Sequence, residues 1–492
     1  MKTQMKKLFA AAALTVSLIS TVSADLATQI NGIINQPSQK KVQFSICVAE
    51  ANTGQMVYQY NETKPLLPAS NMKIIITAAA LKYLGPDYQY KTQIGLVTAK
   101  AAVAGAGLCG DTLIVAGSGD PLLGDKITDA EHNRKPGWIF ENIAAALKQN
   151  GVTAVNDIIV DSTIFDDQRV HPNWPAKELN RSYACEVTGL NFNANCIDIS
   201  AENINGKTTV FIDPPNNFIK IINKVTPISN GKSVLNAYRT KETNKIVVEG
   251  KCRDKIGPFA IAIEQPPAFF GSLLAENLTK AGIAVNGQII GGKKDENCDF
   301  KLLYEHTTPI TDCLKRCNRD SFGLAAESLL KTIAARSGPD KKNGTWAKGR
   351  TLISQYLLEL GIPEEEFNID DGSGLSKENR LSANTLTAVL LDVYKSKQWP
   401  LFRDSLAVGG VDGTITKRFK EEKYKGRILG KTGYIAGVRA FSGVCNTARG
   451  DYIFSILTNN SNPESRNAIN DIVKAITDEG DSQPYSSGRS LP

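Results

Sequence analysis

The sequence predicts an α+β fold in which helices pack on an antiparallel sheet and a long, mostly β stretch is inserted. Three observations carry that expectation. Strand-like runs at Val42–Glu50 and Gln55–Tyr60 flank Asn52, Thr53 and Gly54, as a hairpin requires. Helical periodicity recurs at Phe269–Ala281, Leu324–Ser337, Ala347–Leu360 and Ser382–Lys395. Towards the end, Arg427–Gly430, Val438–Asn446 and Tyr452–Thr458 read as strands, and a helix from about Ser465 to Asp478 closes the domain.

Between the hairpin and the first periodic helix, Pro68, Ala69 and Ser70 lead into Met72, Ile74, Ile75, Ile76, Ala78, Ala79, Leu81 and Leu84, stopped by Gly85 and Pro86. A helix apolar on nearly all sides must be buried. From about 86 to 260 the pattern changes to short strands such as Thr112–Ala116, Asp157–Asp161 and Lys245–Glu249 among many Asn, Gly and Pro residues. The expected organisation is therefore a first segment at 25–85, a mostly β insertion at 86–260 in two subdomains, a second segment at 261–480 and a disordered tail at 481–492.

Residues 1–24 carry Lys2, Lys6 and Lys7, an apolar run from Leu8 to Ile19 and the small-residue signal Val22, Ser23, Ala24, the pattern of a cleaved signal peptide. The protein is expected to be exported, with the periplasm as its compartment and at most peripheral membrane contact. The 492 residues are 42% hydrophobic and 22% charged, which excludes collagen-like, wholly disordered and multi-span classes. The 57 basic and 50 acidic residues are interspersed, so no nucleic-acid partner is expected. Nine cysteines fix no pairing by spacing alone. Cys313 and Cys317 lie near His306 but lack a second paired set, so no metal site is expected. With three histidines in the chain, acid and base work is assigned elsewhere.

The chemistry-bearing signals are two short motifs. Ser70-Asn71-Met72-Lys73 is an S-x-x-K whose members share one helix face, so that an uncharged lysine amine can take the serine proton. The same spacing occurs at Ser38–Lys41, Ser229–Lys232 and Ser328–Lys331, yet only Ser70 opens a long apolar helix after a hairpin. Lys431-Thr432-Gly433 occurs once and sits on a predicted strand edge, where it offers a cation, a hydroxyl for a carboxylate and space for a substrate backbone. Between them lies Ser321-Phe322-Gly323, with Gly where an S-x-N motif has Asn. Asp371-Gly372-Ser373-Gly374 reads first as a turn, with a place at the border of the cleft as the alternative.

With these motifs and the segments Leu113–Leu122, Asp157–Phe165, Asn173–Pro175, Asp371–Ser376 and Gly410–Thr414, nearly the whole mature chain resembles the D-alanyl-D-alanine carboxypeptidase/endopeptidase family of low-molecular-mass penicillin-binding proteins (type 4, class C). The resemblance implies a serine β-lactamase/transpeptidase-like domain with an insertion between the first two motifs. It implies Ser70 as the acylated nucleophile, Lys73 as general base, Ser321 as proton relay and Lys431 as the cation that keeps Lys73 neutral. Thr432 would anchor the substrate carboxylate beside Gly433, and the N–H groups of Ser70 and Tyr434 would form the oxyanion hole. The implied partners are peptidoglycan stem peptides and, as covalent inhibitors, β-lactams; no cofactor is required. Gly323 removes the amide that would contact substrate and lysine, with a water or Asn318 as substitute. That departure leaves a peptide-binding pseudoenzyme as the rival reading; a β-lactamase would need a dedicated deacylating base that the sequence does not place.

Overall fold

A computed structural model describes residues 25–97, 111–295, 298–337 and 343–482. The expected signal peptide and residues 483–492 of the expected tail lie outside the described residues. The chain forms two compact units, one from residues up to 82, 314–321 and 353 onward, the other from 83–313 and 322–352.

The first unit is built on a six-stranded antiparallel sheet in the order Ala407–Val408, Ile428–Ile435, Val438–Thr447, Gly450–Asn459, Gln43–Glu50, Met56–Tyr60. Alternation divides its faces. Phe44, Ile46 and Val48 pack with Ile469, Ile472, Val473 and Ile476 of the Ser465–Asp481 helix and with Leu26, Ile30 and Ile34 of a helix at 25–34. From the opposite face, the Ser45 hydroxyl accepts from the N–H of Ala383, the first residue of the Ala383–Lys395 helix. Asp481, expected to open the tail, instead ends the terminal helix and takes a bidentate bond from Arg427, at 2.8 and 2.7 Å.

The second unit has a five-stranded mixed sheet, Ile289–Gly291, Ile158–Asp161, Thr112–Ala116, Gln89–Val97, Phe300–Pro309, and two three-stranded sheets between Cys196 and Ala262. Helices Trp138–Gln149 and Pro266–Lys280 cover it through Phe140, Ile143, Phe269 and Phe270. The 86–260 stretch thus carries helices at Lys126–Glu131 and Trp138–Gln149 that its turn-rich composition hid. The unit also extends past 260, because Phe300–Pro309 pairs antiparallel with Gln89–Val97 and the Gly323–Ser337 helix is tied to it by Lys331 and Glu327. Among the described residues the cysteines are buried, except for the half-buried Cys298. His306 shares a hydrogen bond with Thr308, and no group of three or more His, Cys, Asp or Glu side chains gathers as metal ligands among the described residues.

Candidate active site

Ser70 lies in a 3₁₀ turn, Ala69–Asn71, that feeds directly into the Met72–Leu84 helix. That helix is buried from Met72 to Leu81, as its all-round apolar sequence requires. Ala69 holds φ +46, a strained left-handed conformation for a residue with a Cβ. Asn71 pins the turn to the sheet by donating to the Ser442 hydroxyl at 2.7 Å. Ser70 itself is half-buried.

One helical turn on, the Lys73 ammonium reaches the Ser70 hydroxyl at 3.1 Å and the Ser373 carbonyl at 2.6 Å, with only 2% of the residue exposed. The Ser373 contact belongs to the loop that the sequence reads first as a turn. Asp371 shapes that loop by accepting the N–H groups of Gly374 and Ser376, at 2.8 and 2.7 Å, and the Asn379 amide at 2.7 Å. Gly374 has φ +83, and a Cβ there would stand 1.8 Å from the Ala69 carbonyl oxygen. Only glycine lets this loop lie against the turn that carries Ser70. The glycine spacing hinted at a turn, but nothing local marks the tertiary contact.

Lys431, Thr432 and Gly433 fall inside the Ile428–Ile435 strand. The Ala407–Val408 strand pairs only with Gly430 and Leu429, so the motif lies along an unpaired edge among the described residues. A Cβ on Gly433 would come within 2.7 Å of the Pro68 carbonyl, which shows how closely the strand approaches the turn that carries Ser70. Lys431 is fully buried and donates to the Ser321 hydroxyl at 2.8 Å and to the Thr432 carbonyl at 2.7 Å. Burial first, then the charge on Lys73, pushes its ammonium well below the usual lysine range. Ser321 holds this position from a left-handed backbone, φ +63. The Thr432 hydroxyl bonds that of Thr414 at 2.9 Å, and Tyr434 stands 67% exposed under the Arg439 guanidinium.

The structure therefore brings Ser70, Lys73, Ser321, Lys431 and the Thr432–Tyr434 edge together within the first unit. Gly323 instead opens the Gly323–Ser337 helix of the second unit. Asn318 does not replace the missing amide, because its buried side chain is spent on the hydroxyls of Thr77 and Ser405, at 3.1 and 2.9 Å.

A serine and two lysines at the foot of an antiparallel sheet define the class: a hydrolase with a transpeptidase/β-lactamase-like α+β fold. The chain belongs to the D-Ala-D-Ala carboxypeptidase 3 (S13) family, whose model matches residues 26–479. It is 27% identical over 468 residues to the D-alanyl-D-alanine carboxypeptidase of Actinomadura sp. (strain R39), covering 91% of this chain and 84% of that one. Its fold matches that of penicillin-binding protein 4 from Haemophilus influenzae with a TM-score of 0.75 at 24% identity, over 92% of this chain and 98% of the other. The same protein complexed with a β-lactam matches with a TM-score of 0.70, at the same identity and coverage.

Proposed function

We propose that the protein is an exported serine DD-peptidase that hydrolyses the bond between two D-alanines in peptidoglycan stem peptides, or the equivalent bond in cross-links, through an acyl-enzyme on Ser70. The observation that carries this reading is the 3.1 Å contact between the Lys73 amine and the Ser70 hydroxyl beside a second, fully buried lysine. Two neighbouring lysines in a water-poor site oppose each other's protonation, so one amine is available as a base near neutral pH.

In the proposed sequence, neutral Lys73 takes the Ser70 proton as Oγ bonds to the substrate carbonyl carbon. The oxyanion is met by the N–H groups of Ser70 and Tyr434. The tetrahedral intermediate collapses when the peptide C–N bond breaks and the leaving amine takes a proton relayed by Ser321 from the Lys431 side. Thr432 holds the leaving residue's carboxylate, and water then hydrolyses the Ser70 ester, giving a proton through Ser321 back to the Lys431 side while Ser70 Oγ takes its own proton back from Lys73. A β-lactam enters the same path and leaves a longer-lived ester, since its leaving group stays attached. The Ser373 carbonyl supports the reading in spite of Gly323, because it holds the Lys73 amine in place with one of the acceptors that an Asn would supply.

Intact-mass spectrometry of the protein incubated with a penicillin, beside Ser70→Ala, tests the assignment. A single stable adduct on the parent and none on the variant is expected. No adduct on a folded parent overturns the peptidase in favour of a peptide-binding protein, and rapid release of hydrolysed penicillin marks a β-lactamase.

A further inference from the structure

Beyond the nucleophile, the KTG strand edge leads into a cleft of about 690 Å³ whose chemistry the DD-peptidase reaction on a terminal D-alanine does not use. Thr414, bonded to Thr432 at 2.9 Å, lines its inner end. Its walls carry Lys417, Arg418, Lys420, Arg466 and Lys474 against one carboxylate, Glu421, which Lys474 occupies at 2.6 Å. Asp471 stands close to that same Lys474–Glu421 pair. Arg418 is only part-exposed and forms no ion pair or side-chain hydrogen bond among the described residues; its guanidinium lies over the Phe441 ring. Arg439 lies over Tyr434, the residue that follows the KTG motif, 4.8 Å from its ring centroid. Burial, then the charges of Arg466 and Arg439, brings Arg418 down to about 10, so the three cations share one field. Arg466 also sits in the first turn of the Ser465–Asp481 helix, whose N-terminal N–H groups favour an anion.

Like charges gathered around the part-exposed Arg418 in an open groove, with too few acids to balance them, repel one another, and an anionic ligand relieves that repulsion. We propose that this cleft is a carboxylate subsite on the leaving-group side of the scissile bond, with Arg418 and Arg466 binding carboxylates that lie beyond the one held at Thr432. A single D-alanine has no such group. An acceptor stem peptide released from a cross-link has at least one, so the subsite selects cross-linked peptides over pentapeptides. The inference rests on the DD-peptidase reading and names the substrate class for that site.

The experiment compares kcat/KM of the full protein on two substrates with the same acyl side, a pentapeptide that loses D-alanine and a cross-linked dimer, and on a dimer whose acceptor carboxylates are amidated. In Arg466→Gln and Arg418→Gln the dimer-to-pentapeptide ratio is expected to fall about tenfold for each guanidinium that no longer meets a carboxylate, while amidation of the acceptor lowers the parent's ratio to a similar degree and leaves little for the variants to lose. Arg466 is exposed, so its variant carries the test if Arg418→Gln fails to fold. A ratio unmoved by the substitutions, or equal losses on both substrates, overturns the subsite while the peptidase stands. A parent that forms no penicillin adduct and cleaves neither substrate overturns the peptidase and the subsite together.

Discussion

Two helices in this molecule carry a serine followed three residues later by a lysine, both are buried, and only one reads as an active site. In the first unit, Lys73 turns to the Ser70 hydroxyl and the Ser373 carbonyl, with the fully buried amine of Lys431 as a neighbour whose charge burial and Lys73 both oppose. In the second, Lys331 turns away from Ser328 and donates to the Asp166 carboxylate and the Gln168 carbonyl, both at 2.7 Å, with its ammonium 3.8 Å from the centre of the Trp346 ring. The Ser328 hydroxyl is left buried without a partner among the described residues. Burial pulls Lys331 down against the opposing bond from Asp166, so the second lysine is tied to a carboxylate rather than to its serine. Spacing makes the serine–lysine contact possible; the lysine's other neighbours decide whether the contact forms and whether the amine can act as a base.

The sharpest way to break this comparison is to remove each amine in turn. Lys73→Met should lower the rate of penicillin acylation by about 10²–10⁴, the usual worth of a general base, with the fold retained in circular dichroism. An unchanged rate would dissolve the distinction between the two helices. Next in size, Gly374→Ala forces a Cβ against the Ala69 carbonyl and moves the Ser373 carbonyl off Lys73. Stopped-flow acylation should slow by about 100-fold, as small misplacements of catalytic groups commonly cost.

Lys331→Met should leave the acylation rate within about twofold but remove about 3 kcal/mol from urea unfolding, because Asp166 loses its counter-ion; Asp166→Asn in the same chain should recover part of that loss. The smallest effect concerns Asp120 of the second unit, fully buried and pushed up to about 6 by its burial against the opposing bond from Thr308. A folded-state value above the ordinary 3.8 means that the ionised carboxylate costs stability above pH 6 and that the cost fades as the pH falls towards 4. Asp120→Asn should therefore gain up to about 2 kcal/mol at pH 7 and nothing at pH 4, read as melting temperature across that range. An advantage that grows at low pH would reverse the sign and sink the assignment.

What was readable in the sequence follows the range over which each signal acts. Hairpin, apolar helix and terminal strands rest on local periodicity, and they appear with boundaries shifted by a few residues. Lys431 and Ser321, 110 positions apart, could be paired only because both sit in recognisable motifs. The loop at 371–374 is legible as a turn, but its carbonyl contact with a lysine 300 residues away is not, and the cation cleft has no local signature because its charges come from a loop and a helix far apart in sequence. Asn318, a reasonable substitute by proximity in sequence, is disqualified by the direction of its side chain, which spacing cannot supply.

The unpaired stretch of the Ile428–Ile435 strand has a consequence for solubility. An open edge invites pairing with the sheet of another molecule. Here the two-residue Ala407–Val408 strand covers one end and only five positions, 431–435, remain. That length accommodates a short peptide but is too small for a stable sheet-to-sheet seam, and the cations of Arg439 and Arg418 beside it repel a second copy of the same edge. The protein keeps a sticky surface open to its ligand while denying it to itself.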